Sequence, residues 1–229
     1  MAKNTTPSFV VTRRIITDNR GYDKLNKIMR ITERMYNAGV RHCFKQLNEL
    51  KKDVWYKYCL GQFFACKDEK ESKRWGKEIF ICAAAYQLTE YDLHTYFGRG
   101  KISGYEGGIG INIVQKTATA LYSAVKKAIF GKMIHFRKFE ETFSFEDKKA
   151  TSGIIYKYKT DTVTVCGTVF KLKPVRKNDI WLQEAMKYKI KYCRIIREPF
   201  GIHYRFFLQI VMEGIPPQKH AIGVGTMAI

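Results

Sequence analysis

No two of the six cysteines (Cys43, Cys59, Cys66, Cys82, Cys166 and Cys193) stand in a Cys-x-x-Cys spacing, so nothing signals a zinc ribbon or a thioredoxin-type redox pair. His42 and Cys43 are adjacent, but on a helix neighbouring side chains point to different faces. The plain reading is reduced, mostly buried thiols in a reducing compartment. No stretch reaches the roughly 18 consecutive apolar residues of a membrane span, and Met1–Pro7 lacks the apolar run of a signal peptide. A cytoplasmic protein without a membrane partner is expected. The glycine-rich stretch between Gly98 and Gly110 has neither a Gly-Lys-Ser/Thr ending nor a preceding parallel strand, and reads as a flexible linker rather than a nucleotide site. Before residue 218 no nucleophile and base, and no carboxylate cluster, stand at recognisable spacing, which makes an autonomous enzyme the least favoured class.

Acidic residues are also scarce. Against 41 Lys and Arg there are 21 Asp and Glu, a net charge of +20, which predicts a polyanionic partner, nucleic acid first. The excess is +8 over residues 1–100 and +12 over residues 101–210, so it is not a detachable tail. With 45% hydrophobic and 14% aromatic residues, the chain can build one large domain or two small ones.

Ser8–Ile16 is a short β-type run containing Arg13-Arg14, ended by the turn-forming Thr17–Gly21. A lone strand is not stable, so it must pair with strands much later in the chain, which implies a β domain with an insertion. From Tyr22 to Lys52 the period is helical. Leu25, Ile28, Met29, Met35, Tyr36, Val40, Cys43, Leu47 and Leu50 make one apolar face, and Lys27, Arg30, Arg34, Asn37, Arg41 and Lys45 make another. Basic residues at this spacing can follow a phosphate backbone, with Asn37 open to a sugar or base contact; a solvated face is the alternative. Residues 53–111 hold more helix rich in aromatics, some of which could stack on unpaired bases. The charged run Lys67–Arg74 within them reads as a solvated loop. A second clear helix, Asn112–Phe130, turns Val114, Ala118, Leu121, Val125 and Ala128 inward. It leaves Asn112, Gln115, Thr119 and Lys126 for base-edge and phosphate contacts, or for plain exposure.

After Gly131 the pattern turns to β. Lys132–Phe139, Phe143–Phe145, Ile154–Lys159, Thr162–Val165 and Val169–Leu172 place lysines between apolar or aromatic residues, the mark of half-buried strands with a cationic outer face. Arg137, Lys138, Lys157 and Lys159 are the candidates they offer. A long hairpin follows, Tyr188–Glu198 and Ile202–Met212 about Pro199-Phe200-Gly201, with Lys189 and Lys191 opposite Tyr188, Ile190 and Tyr192. Arg194 and Arg205 are its further candidates. A small antiparallel barrel with a basic surface is a common platform for nucleic-acid backbones. Glu213–Pro217 ends it as a rigid linker.

The last residues, Ala221-Ile222-Gly223-Val224-Gly225-Thr226, look like the Gly-Ile-Asp-Ile-Gly-Thr strand that opens a RuvC nuclease domain, with Gly223 at the position of the metal-binding Asp. Together with Tyr36-Asn37, Gln115, His135–Phe139 and Gln209–Pro217, in this order, the chain resembles the N-terminal half of TnpB transposon proteins and type V CRISPR effectors. The resemblance implies an α+β fold. An antiparallel OB-like barrel, the wedge, would be interrupted by a helical recognition lobe and followed by the first strand of a RuvC-like domain. The divisions are 1–20 and 132–213 for the barrel, 21–131 for the lobe, and 214–229 for the linker and RuvC start. It further implies a guide RNA and a target double-stranded DNA with a short flanking motif as partners, in a prokaryotic, nucleoid-associated setting. The helix of Gln115 is the first choice for reading that motif. Magnesium is implied for the full-length nuclease, but no cofactor for this chain. No catalytic residue is expected here either, because Gly223 removes the first ligand; a second chain is the candidate carrier of the RuvC domain. Two other readings stand beside this one: a nuclease-dead RNA-guided repressor that binds target DNA without cutting, and a structural RNA-binding protein of ribosome or RNP type.

Overall fold

A computed structural model describes residues 6–98, 109–147, 153–175 and 179–218. The fold is α+β, with seven strands in one antiparallel sheet and most of the helix gathered between the first strand and the rest. The order is β1 (Ser8–Ile16), α1 (Asn19–Leu50), α2 (Val54–Ala65), α3 (Glu69–Ala85), α4 (Glu90–Gly98) and α5 (Ile111–Ala128). Then come β2 (Phe143–Glu146), β3 (Ile154–Lys157), β4 (Thr162–Val165), β5 (Thr168–Leu172), α6 (Ile180–Ala185), β6 (Ile190–Phe200) and β7 (His203–Glu213).

Strict alternation in β1 sends Phe9, Val11, Arg13 and Ile15 inward and their neighbours outward. β1 pairs with β7 over Ser8–Arg14 and with β5 at Ile15 and Ile16, so the two halves of the sheet meet on it. The full order is β2-β6-β7-β1-β5-β4-β3. β2 and β3 are therefore edges, and the sheet is open where a closed barrel was expected. Both edge strands are four residues long, and among the described residues no ladder joins them. A side chain links them instead: Asp147, just past β2, accepts from the backbone N–H of Gly153 at 2.7 Å and of Ile154 at 3.0 Å, where β3 begins. Side chains of all seven strands join one core with Leu25, Ile28 and Met29 of α1.

α1 continues out of that core into a second. Asp18 caps it, its carboxylate accepting from Gly21 N–H at 2.7 Å. Met35, Tyr36, Val40, Cys43, Leu47 and Leu50 then pack against α2 to α5. A methyl group at Gly39 would lie 2.5 Å from Leu121 Cδ2 and 2.6 Å from Phe97 Cζ, so glycine sets how closely α1 meets α4 and α5.

Three further expectations change. Lys67–Arg74 is not a loop: α3 starts at Glu69, capped by the Asp68 carboxylate on Glu71 N–H at 3.0 Å. Residues 132–139 form no strand and lie along α1 instead. In the long hairpin a bulge falls between Ile190 and Tyr192. Beyond it Cys193, Ile195 and Arg197 face inward, and Tyr192 shares the outer face with Arg194.

Candidate nucleic-acid interface

Helical spacing places Lys27, Arg30, Arg34, Arg41 and Lys45 on one exposed stripe of α1. Among the described residues none of the five makes an ion pair within 4.0 Å. From Lys27 to Lys45 the stripe runs about 27 Å, a length over which a duplex presents roughly sixteen phosphates.

Asn37, predicted to face outward with them, is 9% exposed. Its amide Nδ2 donates to the Arg137 carbonyl at 2.9 Å, and its Oδ1 accepts from the Arg137 N–H at 2.9 Å. A further bond from Nδ2 reaches Glu33. With both ends engaged, the amide is not available to a sugar or base. This clamp fixes residues 132–139 antiparallel to α1. Arg41 lies 5.9 Å from the centroid of the Phe136 ring, Arg137 3.9 Å from that of Tyr36, and Arg30 4.5 Å from that of Phe139. Lys138 is exposed and pairs weakly with Glu141 at 3.6 Å. The strap thus lays a second row of cations beside the stripe. Arg137 is half-buried; burial lowers its pKa, with Tyr36 and Glu146 opposing, and the guanidinium stays charged.

The α5 candidates divide. Lys126 is exposed, over the Tyr122 ring. Thr119 is half-buried by α4: its hydroxyl donates to Glu90 at 2.7 Å and contacts His94 Nε2 at 3.0 Å. Asn112 and Gln115 are half-buried. On the sheet, Lys157 and Lys159 are exposed at the end of β3 and on the turn after it. Lys189 pairs with Glu213 at 3.2 Å, holding that carboxyl below its usual pKa through a hydrogen bond and its charge. Lys191 is exposed and donates to the Thr6 carbonyl at 3.2 Å. Arg194 is half-buried beside Tyr192, to whose hydroxyl it donates at 3.1 Å, and beside Glu146 at 3.9 Å. Lys116, which periodicity did not single out, closes that cluster with Glu146 at 3.1 Å. Arg205 stacks on Phe200, 3.0 Å from its centroid. The structure therefore brings together the α1 stripe with Arg137 and Lys138, and gathers Arg194 with Tyr192, Glu146 and Lys116.

Arg14 was missed. It is exposed and lines a hollow of about 290 Å³ with Lys173, Tyr204 and Arg205, where β1 passes from β7 to β5. The pair Arg13-Arg14 carried the signal, since alternation must turn one inward and one outward. Arg13 is the inward one, bound to Asp161 at 2.6 Å and to the Lys173 carbonyl at 2.9 Å. The structure also sorts the aromatics: Trp55 and Tyr58 of α2 stack on each other and are about half exposed, at 51% and 50%.

Among the described residues no three His, Cys, Asp or Glu side chains are grouped as a metal site would require, and no helix is long and apolar enough to cross a membrane. Residues 219–229, with Gly223, lie outside the described residues, as does most of the stretch between Gly98 and Gly110. In comparisons with known proteins, no family profile matches this chain and no curated protein matches it significantly.

Proposed function

We propose that this chain binds nucleic acid through its backbone, as the guide-RNA and target-DNA binding half of an RNA-guided endonuclease of the TnpB and type V kind. The observation that carries the binding reading is the unpaired α1 stripe with the 132–139 strap beside it, on a chain of charge +20. Such a surface reads phosphates and shape rather than bases, which is the part left to protein when a guide RNA reads the sequence. In this reading the sheet is a wedge-type barrel of OB-like character, in which all seven strands share one core and Asp147 bridges the unclosed edge. Helices α1 to α5 are the lobe that cradles a heteroduplex, and the tail past residue 218 is the start of a RuvC-like domain. Magnesium has no role assigned in this chain, because Gly223 offers no side-chain oxygen to hold it.

Purifying the protein from cells and sequencing the RNA that accompanies it tests the proposal. A discrete, structured RNA is expected; a chain that carries none, or carries ribosomal RNA alone, refutes the RNA-guided reading, the second outcome in favour of a structural RNA-binding protein. The binding surface is tested separately with a DNA duplex and an RNA hairpin at several salt concentrations. Arg34→Glu with Arg41→Glu is expected to weaken both ligands alike and to flatten the salt dependence by about two phosphates.

A further inference from the structure

Beside the stripe lies a groove of about 370 Å³, bordered by Tyr36, His135, Arg137, Lys138, Thr142 and Ser144. Its cation differs from those of the stripe. Lys27, Arg34 and Lys45 are exposed, and each must be ordered before it can grip a phosphate. Arg137 is already ordered. Its peptide is held on both sides by Asn37 at 2.9 Å, and its guanidinium lies 3.9 Å from the Tyr36 ring centroid and 5.2 Å from that of Phe143.

Two carboxylates stand nearby: Glu141, which also borders the groove, and Glu146, whose charge is felt at Arg137. Glu146 holds Lys116 at 3.1 Å and lies 3.9 Å from Arg194, while Glu141 faces Lys138 at 3.6 Å. Among the described residues no carboxylate comes within 4.0 Å of the Arg137 guanidinium. A half-buried cation with no carboxylate in contact keeps part of its desolvation cost, which the more distant charge of Glu146 and stacking on aromatic rings offset only in part. An oxyanion entering the groove would supply the rest, and the planar guanidinium suits a phosphate.

We propose that Arg137 is a preformed phosphate position, receiving a backbone phosphate of the bound nucleic acid, and that Asn37 is the positioning residue that holds it there. The inference rests on the nucleic-acid reading above and names the ligand chemistry of one point on that surface. Asn37 has no contact with the ligand in this scheme and acts solely through the Arg137 backbone.

The test uses the full chain with an RNA hairpin and a DNA duplex, titrated from low to moderate salt. It compares the parent protein with Arg137→Gln, Arg137→Lys, Asn37→Ala and the double variant Asn37→Ala/Arg137→Gln, each checked for an unchanged thermal transition. Arg137→Gln is expected to weaken binding about tenfold or more at low salt and to lower the salt slope by about one phosphate. Arg137→Lys should keep that slope but recover the affinity only in part, because lysine cannot form the bidentate contact. Asn37→Ala should lower the slope too, yet add little on top of Arg137→Gln. A parent that binds with Arg137→Gln unchanged in slope overturns the inference and leaves the wider reading standing, as do effects of the two substitutions that simply add. A parent that binds neither ligand overturns both. Inorganic phosphate, at ionic strength matched with chloride, separates the sources: if millimolar phosphate erases the difference between parent and Arg137→Gln, the site belongs to free phosphate and the backbone assignment falls. Should Arg137→Gln lower the thermal transition, Arg137→Lys carries the test through its slope and partial affinity.

Discussion

The two cores that share α1 differ in whether they bury charge. In the sheet core, Arg13, Arg197 and Asp147 are buried; the two arginines reach distant segments and Asp147 a nearby one. Arg13 of β1 binds Asp161 and the Lys173 carbonyl, Asp147 binds the start of β3, and Arg197 of β6 donates to the carbonyls of Phe139 and Glu141. Among the described residues of the helical core no charged side chain is buried. Its buried polar groups are neutral, among them Asn37, the Tyr56 hydroxyl, which donates to the Ile129 carbonyl at 2.6 Å, and Thr117, whose hydroxyl returns to the Ile113 carbonyl one turn earlier in its own helix. The sheet joins strands as far apart as Ser8 and Glu213, where alternation alone leaves a slip of two residues nearly equivalent. Buried charges whose partners lie at fixed places remove that ambiguity. The helical core, made largely of contacts between successive helices, meets it less often.

The comparison is broken most severely at Arg197, which is fully buried, 3.8 Å from the centroid of the Phe139 ring and 4.1 Å from that of Tyr204. Arg197→Ala should destabilise the sheet half by roughly 3–5 kcal/mol, through the cavity and the carbonyls left without a donor. Urea denaturation followed by native-state hydrogen exchange reads this out. Loss of protection in β6 and β7 ahead of α2 to α5 is expected, and uniform loss would show that the two cores unfold as one.

A second test asks whether the cores differ in their thiols. Burial pushes both Cys193 in the sheet core and Cys43 in the helical core up to about 12 from the usual value near 9. A raised folded-state pKa gives stability that is complete below pH 9 and is lost as pH rises toward 12. Each thiol should cost about 1.4 kcal/mol per pH step inside that window. Stability measured at pH 8 and pH 10.5 should fall less in Cys193→Ala and in Cys43→Ala than in the parent. An unchanged pH dependence in either would mean that its thiol is open to water.

Gly39 probes the helical side. Gly39→Ala gains helix propensity of about 1 kcal/mol but drives a methyl into Leu121 and Phe97. A net loss of roughly 1–2 kcal/mol is expected, read as a lower urea midpoint with the sheet half unaffected in exchange. A rise in the midpoint would show that α5 can retreat.

What the sequence disclosed follows the same division. The alternation of β1, the apolar face of α1 and that of α5 are local periodicities, and each element lies within a few residues of its expected place. The stripe from Lys27 to Lys45 was equally legible. Long-range coverage was not. Asn37 sits at stripe spacing, yet a segment 100 residues away lies over it. Thr119 has the spacing of an outward residue, but α4 covers it. Lys132–Phe139 alternates like a strand, but its partner is a helix side chain rather than a ladder, and no periodicity records that. The open edge of the sheet was hidden for a related reason, since whether β2 and β3 pair is a long-range matter that alternation does not record.

The smallest expected effect lies at the start of α3, where charge density concealed a helix. Lys67–Arg74 has no apolar period, which is why it resembled a loop, yet its charges are ordered as a helix start requires. Asp68 caps the first turn, Glu69 and Glu71 sit where the helix dipole favours anions, and Lys73 reaches back to Glu69 at 2.5 Å. The Glu69–Lys73 pair is exposed and contributes a few tenths of a kcal/mol, so the cap should dominate. Asp68→Ala is expected to cost about 1 kcal/mol and to raise exchange at Glu71 and Ser72, with Asp68→Asn restoring most of it. Both substitutions should leave β1, β6 and β7 untouched. If Asp68→Ala instead loosens the sheet, α3 is coupled to it through α1, and the two cores are less independent than their chemistry indicates.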